Sequence, residues 1–338
     1  MKTYIIAEAG VNHNGQLELA LKLCDAAKAA GVDCVKFQTW KTENICTASA
    51  AMAAYQKENI QTEAASQFEM LKRLELSYEH FEYIKAYCEK IGIDFLSTPD
   101  EEESLEFLIN RLNLPLVKIG SGEVTNIPYL RKIASYGKPI ILSTGMSNLA
   151  QVATAYDILM KAGAPSVSLL HCTTNYPCPY DEVNLRAMNT LKDAFKCKVG
   201  YSDHTMGIEV PIAAVAMGAE IIEKHFTLDR TMDGPDHKAS LNPSELKQMV
   251  DSIRNIEVAL GDGIKKPNKS EEANAKVVQK SILAKRAIKM GEFLNETNLT
   301  VKRAGIGLPA ELWDRVIGCY AIKDYGIDEP IELFPHVK

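Results

Sequence analysis

"YIIAEAGVNHNGQLELALKLCDAAKAAGVDCVKFQT", residues 4–39, holds a complete strand–helix–strand unit. Residues 4–10 are a short apolar run. The following "LELALKLCDAAKAAG" repeats its apolar residues at helical spacing, with Gly31 where a helix C-cap belongs. "CVKFQT" (34–39) is apolar again. A strand, a helix and a second strand in so short a span imply two parallel strands joined by a right-handed crossover.

The pattern recurs down the chain. Further apolar runs are "IDFLSTP" (93–99), "LVKIGSGE" (116–123), "PIILSTG" (139–145), "SVSLLHCT" (166–173), "KVGYSDH" (198–204) and "EIIEKHF" (220–226). Helical stretches such as "LAQVATAYDILMKAGA", with Gly163 at its C-cap position, lie between them. Eight such units predict an α/β fold, a closed (β/α)8 TIM barrel over residues 1–260, rather than an open doubly wound sheet. "AEAGVNHNGQ" lacks the glycine spacing of a dinucleotide fingerprint, and no P-loop is present. "GDGIKKPNKSEEANAKVVQ" is polar and reads as a linker over 261–280, with part of it helical. Residues 281–338 read as a small β-rich module, from "SILAKRAI", "LTVKRA" and "CYAIKD" with the turn signal "KMGE". A module this small is marginal alone and is expected to dock on a barrel.

Bulk properties narrow the function. The 338 residues carry a net charge of −6, with 46% hydrophobic and 24% charged residues. That balance argues against nucleic acid or an anionic membrane as partner, while leaving room for a small anion in a cationic cleft. The N-terminus enters a strand-like run without a signal peptide's apolar core, and no apolar stretch reaches membrane-spanning length. Eight scattered cysteines without a CxxC pair suggest reduced thiols and a cytoplasmic protein.

Barrel enzymes place their chemistry at the C-terminal ends of the strands. Here every strand ends in polar groups: Glu8; Lys36 and Gln38; Ser97 and Thr98; Lys118, Ser121 and Glu123; Ser143 and Thr144; Thr173, Thr174, Asn175 and Tyr176; Ser202 and His204; His225. A lone carboxylate or hydroxyl there is as readily structural. Lys36 and Lys118 sit inside apolar strands, where an unpaired ammonium is costly. They call for a bound anion or for ion pairs with Glu8 or Glu123. With short hydroxyl donors around them, they suit a phosphate and a carboxylate. His204 and His225 share parity on adjacent strands and are candidate ligands for one first-row divalent ion, with water or substrate completing the shell. Taken singly, each is as consistent with a hydrogen-bonded core histidine. His171 reads as a core histidine and His80 as a helix-surface one. Asp203 and Lys224 have the opposite parity: Lys224 is expected to face the helices, and Asp203 to be a structural partner or a group supporting the site residues from behind.

Together "IAEAGVNHNG", "VKFQT", "FLSTP", "VKIGSGE", "IILSTGM", "LLHCTTNYP", "VGYSDHT" and "IEKHFTLDR…GPDHKAS" resemble the sialic acid synthase family, including its legionaminate-forming branch. The tail's "IKMGEFLNETNLTVKRAGIG" resembles that family's antifreeze-like (SAF) module. The resemblance runs over essentially the whole chain. It implies condensation of phosphoenolpyruvate with the open-chain aldehyde of N-acetylmannosamine, giving N-acetylneuraminate and phosphate. The alternative acceptor is 2,4-diacetamido-2,4,6-trideoxymannose, giving N,N'-diacetyllegionaminate.

By the same resemblance His204 and His225 hold a divalent metal, manganese first, with magnesium or cobalt as alternatives. Lys36, Thr98, Lys118, Ser121, Ser143, Ser202 and either Thr174 or Asn175 contact phosphoenolpyruvate. Gln38, Glu123, Tyr176 and Asp236 contact the sugar, and Glu8 stands near the reacting centre. Arg303 reaches the N-acyl group across a domain-swapped homodimer. Two departures stand out: "KRAGIG" lacks the usual proline after the arginine, and Asp100 replaces an aromatic residue and is expected to point away from the anion site. Two other readings are a condensing enzyme with a phosphorylated acceptor, for which no arginine cluster is evident, and a non-catalytic carbohydrate- or ice-binding protein.

Overall fold

The computed structural model of the chain describes residues 2–60 and 66–333. They divide into two compact units, Met1–Gly261 and Asp262–Lys338. In the first, eight parallel strands follow in the order the sequence implies: β1 Tyr4–Gly10, β2 Cys34–Thr39, β3 Asp94–Pro99, β4 Val117–Ile119, β5 Ile140–Ser143, β6 Val167–His171, β7 Val199–Asp203 and β8 Ile221–His225. Eight helices alternate with them: α1 Leu17–Ala30, α2 Tyr78–Ile91, α3 Glu102–Glu106, α4 Ile127–Ser135, α5 Leu149–Lys161, α6 Ala187–Phe195, α7 Glu209–Ala216 and α8 Pro243–Ala259. The hydrogen-bonded strand order is β3-β2-β1-β8-β7-β6-β5-β4. β3 and β4 are neighbours without a described ladder, so the barrel is nearly closed.

Local chemistry sets the element ends. Gly31 caps α1 at φ +83°, a left-handed conformation that glycine adopts without a Cβ clash. Asn148 and Gln151 form a capping box at the start of α5, and Asn242 and Glu245 do so at α8. β4 is shorter than its apolar run because Ser121–Glu123 turns into a 3-10 helix. Ile5, Leu23, Val35, Ile84, Leu169 and Ile222 are fully buried in the barrel core, each contributing about 1.5–3 kcal/mol by its burial.

Register brings the polar strand ends level. Glu8 lies opposite both Lys36 on β2 and His225 on β8, and Ser202 lies opposite Glu223. β7 and β8 approach closely at Gly200, where a Cβ would stand 2.1 Å from the Ile221 carbonyl oxygen. Any side chain there would push the two histidine-bearing strands apart.

The second unit carries helix α9, Lys269–Val278, then β9 Ser281–Ala284 paired antiparallel with β10 Leu299–Lys302. Its core is Ile282, Ile288, Leu294, Leu299, Val316, Tyr325 and Ile331. "CYAIKD" makes only an isolated bridge, Phe293–Tyr320, because the chain turns at Gly318 (φ +89°) just before it. Among the described residues no helix is long and apolar enough to cross a membrane.

Candidate active site

A cavity of about 160 Å³ opens at the C-terminal ends of the barrel strands. It brings together Glu8, Lys36, Gln38, Thr98, Lys118, Ser121, Ser143, Thr174, Tyr176, Ser202, His204 and His225 from the predicted set. Asn175 and Glu123 are outside its lining. Glu123 faces a neighbouring acidic cleft with Glu101 to Glu103, and Asp236 stands beside the cavity. Arg303 is exposed on the second unit.

The two lysines anchor the cavity. Lys36 Nζ lies 2.7 Å from Glu8 Oε2 and 3.8 Å from Glu223 Oε1, and donates to Thr98 Oγ1 at 3.1 Å. Lys118 Nζ donates to Ser143 Oγ at 2.8 Å and lies 3.5 Å from Glu223 Oε1. The lysines therefore pair with carboxylates within the barrel, but Lys118 does so with Glu223 rather than Glu123. Burial works against the Lys36 ammonium, yet Glu223 and Glu8 outweigh it and raise its pKa. Lys118 is lowered by burial, which Glu223 only partly offsets. Burial raises the Glu8 carboxyl against the pull of Lys36. For Glu223 burial works upward too, but Lys118 and Lys36 prevail and hold it low.

The hydroxyls form a cradle beside Lys118. Gly145 N–H donates to Ser121 Oγ at 2.9 Å, and a Cβ on Gly145 would stand 2.3 Å from Thr174 Oγ1. Only glycine lets these groups converge. Thr174 Oγ1 is buried with no hydrogen-bond partner among the described residues, so it is available to a ligand.

In the same cavity the His204 and His225 rings stand 5.3 Å apart. Tyr176 packs on both, 4.1 Å from His204 and edge-on to His225 at 5.4 Å. His204 Nδ1 donates to Thr173 O at 2.6 Å, which leaves Nε2 with its lone pair free. His225 Nδ1 is buried without a hydrogen-bond partner, 3.5 Å from Asp236 Oδ2. Burial lowers His204 to about 4 and His225 well below the usual range, so both are neutral at pH 7. Neutral imidazoles with free lone pairs fit a divalent cation. Among the described residues no group of three or more His, Cys, Asp or Glu side chains could hold a metal ion, so water or substrate would supply the remaining ligands.

Two carboxylates escaped the sequence reading. Glu223 lines the cavity, and its parity with His225 was the available signal. Asp100 also lines it rather than pointing away. Burial raises Asp100 to about 7, which softens the conflict with a nearby anion site. Asp236 is likewise raised to about 7 by burial. The opposite-parity pair is structural: Asp203 and Lys224 form a 2.5 Å ion pair, both fully buried. His171 Nε2 bonds Val183 O at 2.7 Å, the behaviour of a structural histidine.

A NeuB family model matches residues 23–265. The N,N'-diacetyllegionaminic acid synthase of Campylobacter jejuni is 52% identical over 98% of this chain and 99% of its own. The enzyme of that name from Legionella pneumophila is 47% identical over 94% of this chain and 90% of its own. Among solved structures, an N-acetylneuraminic acid synthetase from Leptospira borgpetersenii, crystallised with citrate, superposes with a TM-score of 0.71 at 36% identity. It covers 82% of this chain and 91% of that one.

Proposed function

Because the chain belongs to the NeuB family, we propose that it is a sialic acid synthase that condenses phosphoenolpyruvate with the aldehyde of an N-acylated mannosamine. The observation that carries this reading is the convergence in one cavity of two buried lysines, a hydroxyl cradle and two neutral histidines. N-acetylmannosamine is the principal acceptor. 2,4-Diacetamido-2,4,6-trideoxymannose is the second, favoured by the names of the Campylobacter and Legionella relatives.

Lys36 and Lys118 bind the donor's phosphate and carboxylate as point charges, and Thr98, Ser121, Ser143, Thr174 and Ser202 donate hydrogen bonds around them. Asn175 is the alternative to Thr174 for one of these contacts. Fixing the donor in this way makes attack on the acceptor effectively intramolecular. Glu8 places negative charge where the donor's C2 becomes electron-poor as its methylene carbon bonds the aldehyde carbon. Water then adds at C2 and phosphate leaves. Gln38, Glu123, Tyr176 and Asp236 orient the sugar. A divalent cation held by His204 and His225, manganese before magnesium or cobalt, would supply Lewis acidity at the aldehyde oxygen.

The second unit is proposed as an antifreeze-like (SAF) module. In a domain-swapped homodimer its Arg303 would reach the partner's acceptor. The deciding experiment incubates the protein and manganese with phosphoenolpyruvate and each sugar in turn, measuring phosphate release and product mass. A nine-carbon keto acid from either sugar supports the reading. No phosphate release with both sugars refutes it.

A further inference from the structure

The cavity's lysines are not partnered alike. Lys36 has Glu8 Oε2 at 2.7 Å, a close ion pair, and donates its hydrogen bond to Thr98 Oγ1 at 3.1 Å. Lys118 has one carboxylate within ion-pair distance among the described residues, Glu223 at 3.5 Å, and gives hydrogen bonds to Ser143 Oγ and Ile119 O instead. The contact is close enough to compensate charge and too long to clamp the ammonium. Glu223 is itself only 4% exposed. Its Oε1 also accepts from Ser202 Oγ at 3.2 Å, while Oε2 is buried with no hydrogen-bond partner among the described residues. A buried carboxylate left so under-bonded beside a loosely paired ammonium suits a partner that can be exchanged.

We propose that Glu223 is the resident counter-anion of Lys118, compensating it until the donor's phosphate or carboxylate takes over that role. The idea rests on the donor pocket described above. Glu223 is then a positioning residue that acts through Lys118. Its charge holds the ammonium in place between turnovers, and its repulsion of the bound anion helps phosphate to leave.

Inorganic phosphate is the probe, with full-length wild type, Glu223→Gln, Lys118→Met and the double variant. Removing the competing charge should tighten phosphate binding by calorimetry about tenfold in Glu223→Gln. Phosphate should also raise that variant's melting temperature more than the wild type's, because it restores the missing counter-charge. Lys118→Met should lose most phosphate affinity. The double variant should be more stable than Glu223→Gln alone, since it no longer buries an unpaired ammonium. Unchanged or weaker phosphate binding in Glu223→Gln would overturn the proposal. If Glu223→Gln fails to fold, a double variant that is equally unfolded would overturn it too. Wild type that binds phosphate yet forms no keto acid would instead refute the proposed reaction and leave this role standing.

Discussion

Strands β7 and β8 carry two buried sets of charges back to back. Facing the helices, Asp203 and Lys224 are both inaccessible and closely paired. Thr205 donates its N–H and hydroxyl to Asp203 Oδ1 at 3.0 and 2.9 Å and accepts from Lys224 through its carbonyl. Facing the barrel interior, Glu223 sits between Lys36 and Lys118 at 3.8 and 3.5 Å and leaves one oxygen unbonded. One cluster is internally satisfied and the other is not. A satisfied buried network fixes structure, whereas an under-satisfied one is open to a ligand.

The sharpest way to break this contrast is to remove a polar group from each face. On the inner face, His204→Ala should lower product formation about 10³-fold, because several kcal/mol of Lewis-acid stabilisation would be lost. Bound manganese, measured by elemental analysis, should fall with it. The lost ring and its Thr173 hydrogen bond should cost about 1–3 kcal/mol of stability, less than the outer-face change, since this imidazole is neutral and no buried charge is uncovered. Near-wild-type product formation after metal chelation would break the assignment. On the outer face, Asp203→Ala strands a fully buried ammonium and should cost about 3–5 kcal/mol of unfolding free energy. Product formed per folded molecule should hold at the wild-type level. Lost turnover with unchanged urea stability would show that the outer pair belongs to the chemistry.

The two faces also differ in how far they could be read beforehand. Parity alone separated Ser202 and His204 from Asp203, and His225 from Lys224, because side chains on a strand alternate. β1 and β2 were legible to the residue, since turn signals bound their apolar runs. Pairing was not legible. Joining Asp203 to Lys224, or Ser202 to Glu223, needs the register between strands, which no local pattern specifies. Glu223 had the parity of a site residue, but its place between Lys36 and Lys118 depends on strands far apart in sequence. Asp100 was misread because its charge argued against the pocket, and burial that raises its carboxyl to about 7 was invisible in one dimension. β4 stops at Ile119, because the polar "GSGE" that follows it turns into a 3-10 helix at Ser121–Glu123.

The mildest test asks whether a buried histidine near a strand end marks the site at all. His13 follows β1, is fully buried and accepts the Gly15 N–H at 3.0 Å through Nδ1, but is not in the cavity lining. Burial lowers it to about 3, below the value of about 6.5 expected in the unfolded chain. The unfolded state therefore takes up a proton first on acidification. The stabilisation is complete above about pH 6.5 and is lost as pH falls through that value toward 3. Between pH 7 and pH 5 this one group should cost up to about 2 kcal/mol of unfolding free energy, read from urea titrations. His13→Gln should remove this group's share of the slope and leave product formation at pH 7 unchanged. An unchanged slope would mean that the proton goes elsewhere. A loss of turnover would place His13 with His204 and His225, and burial near a strand end would then suffice to predict function.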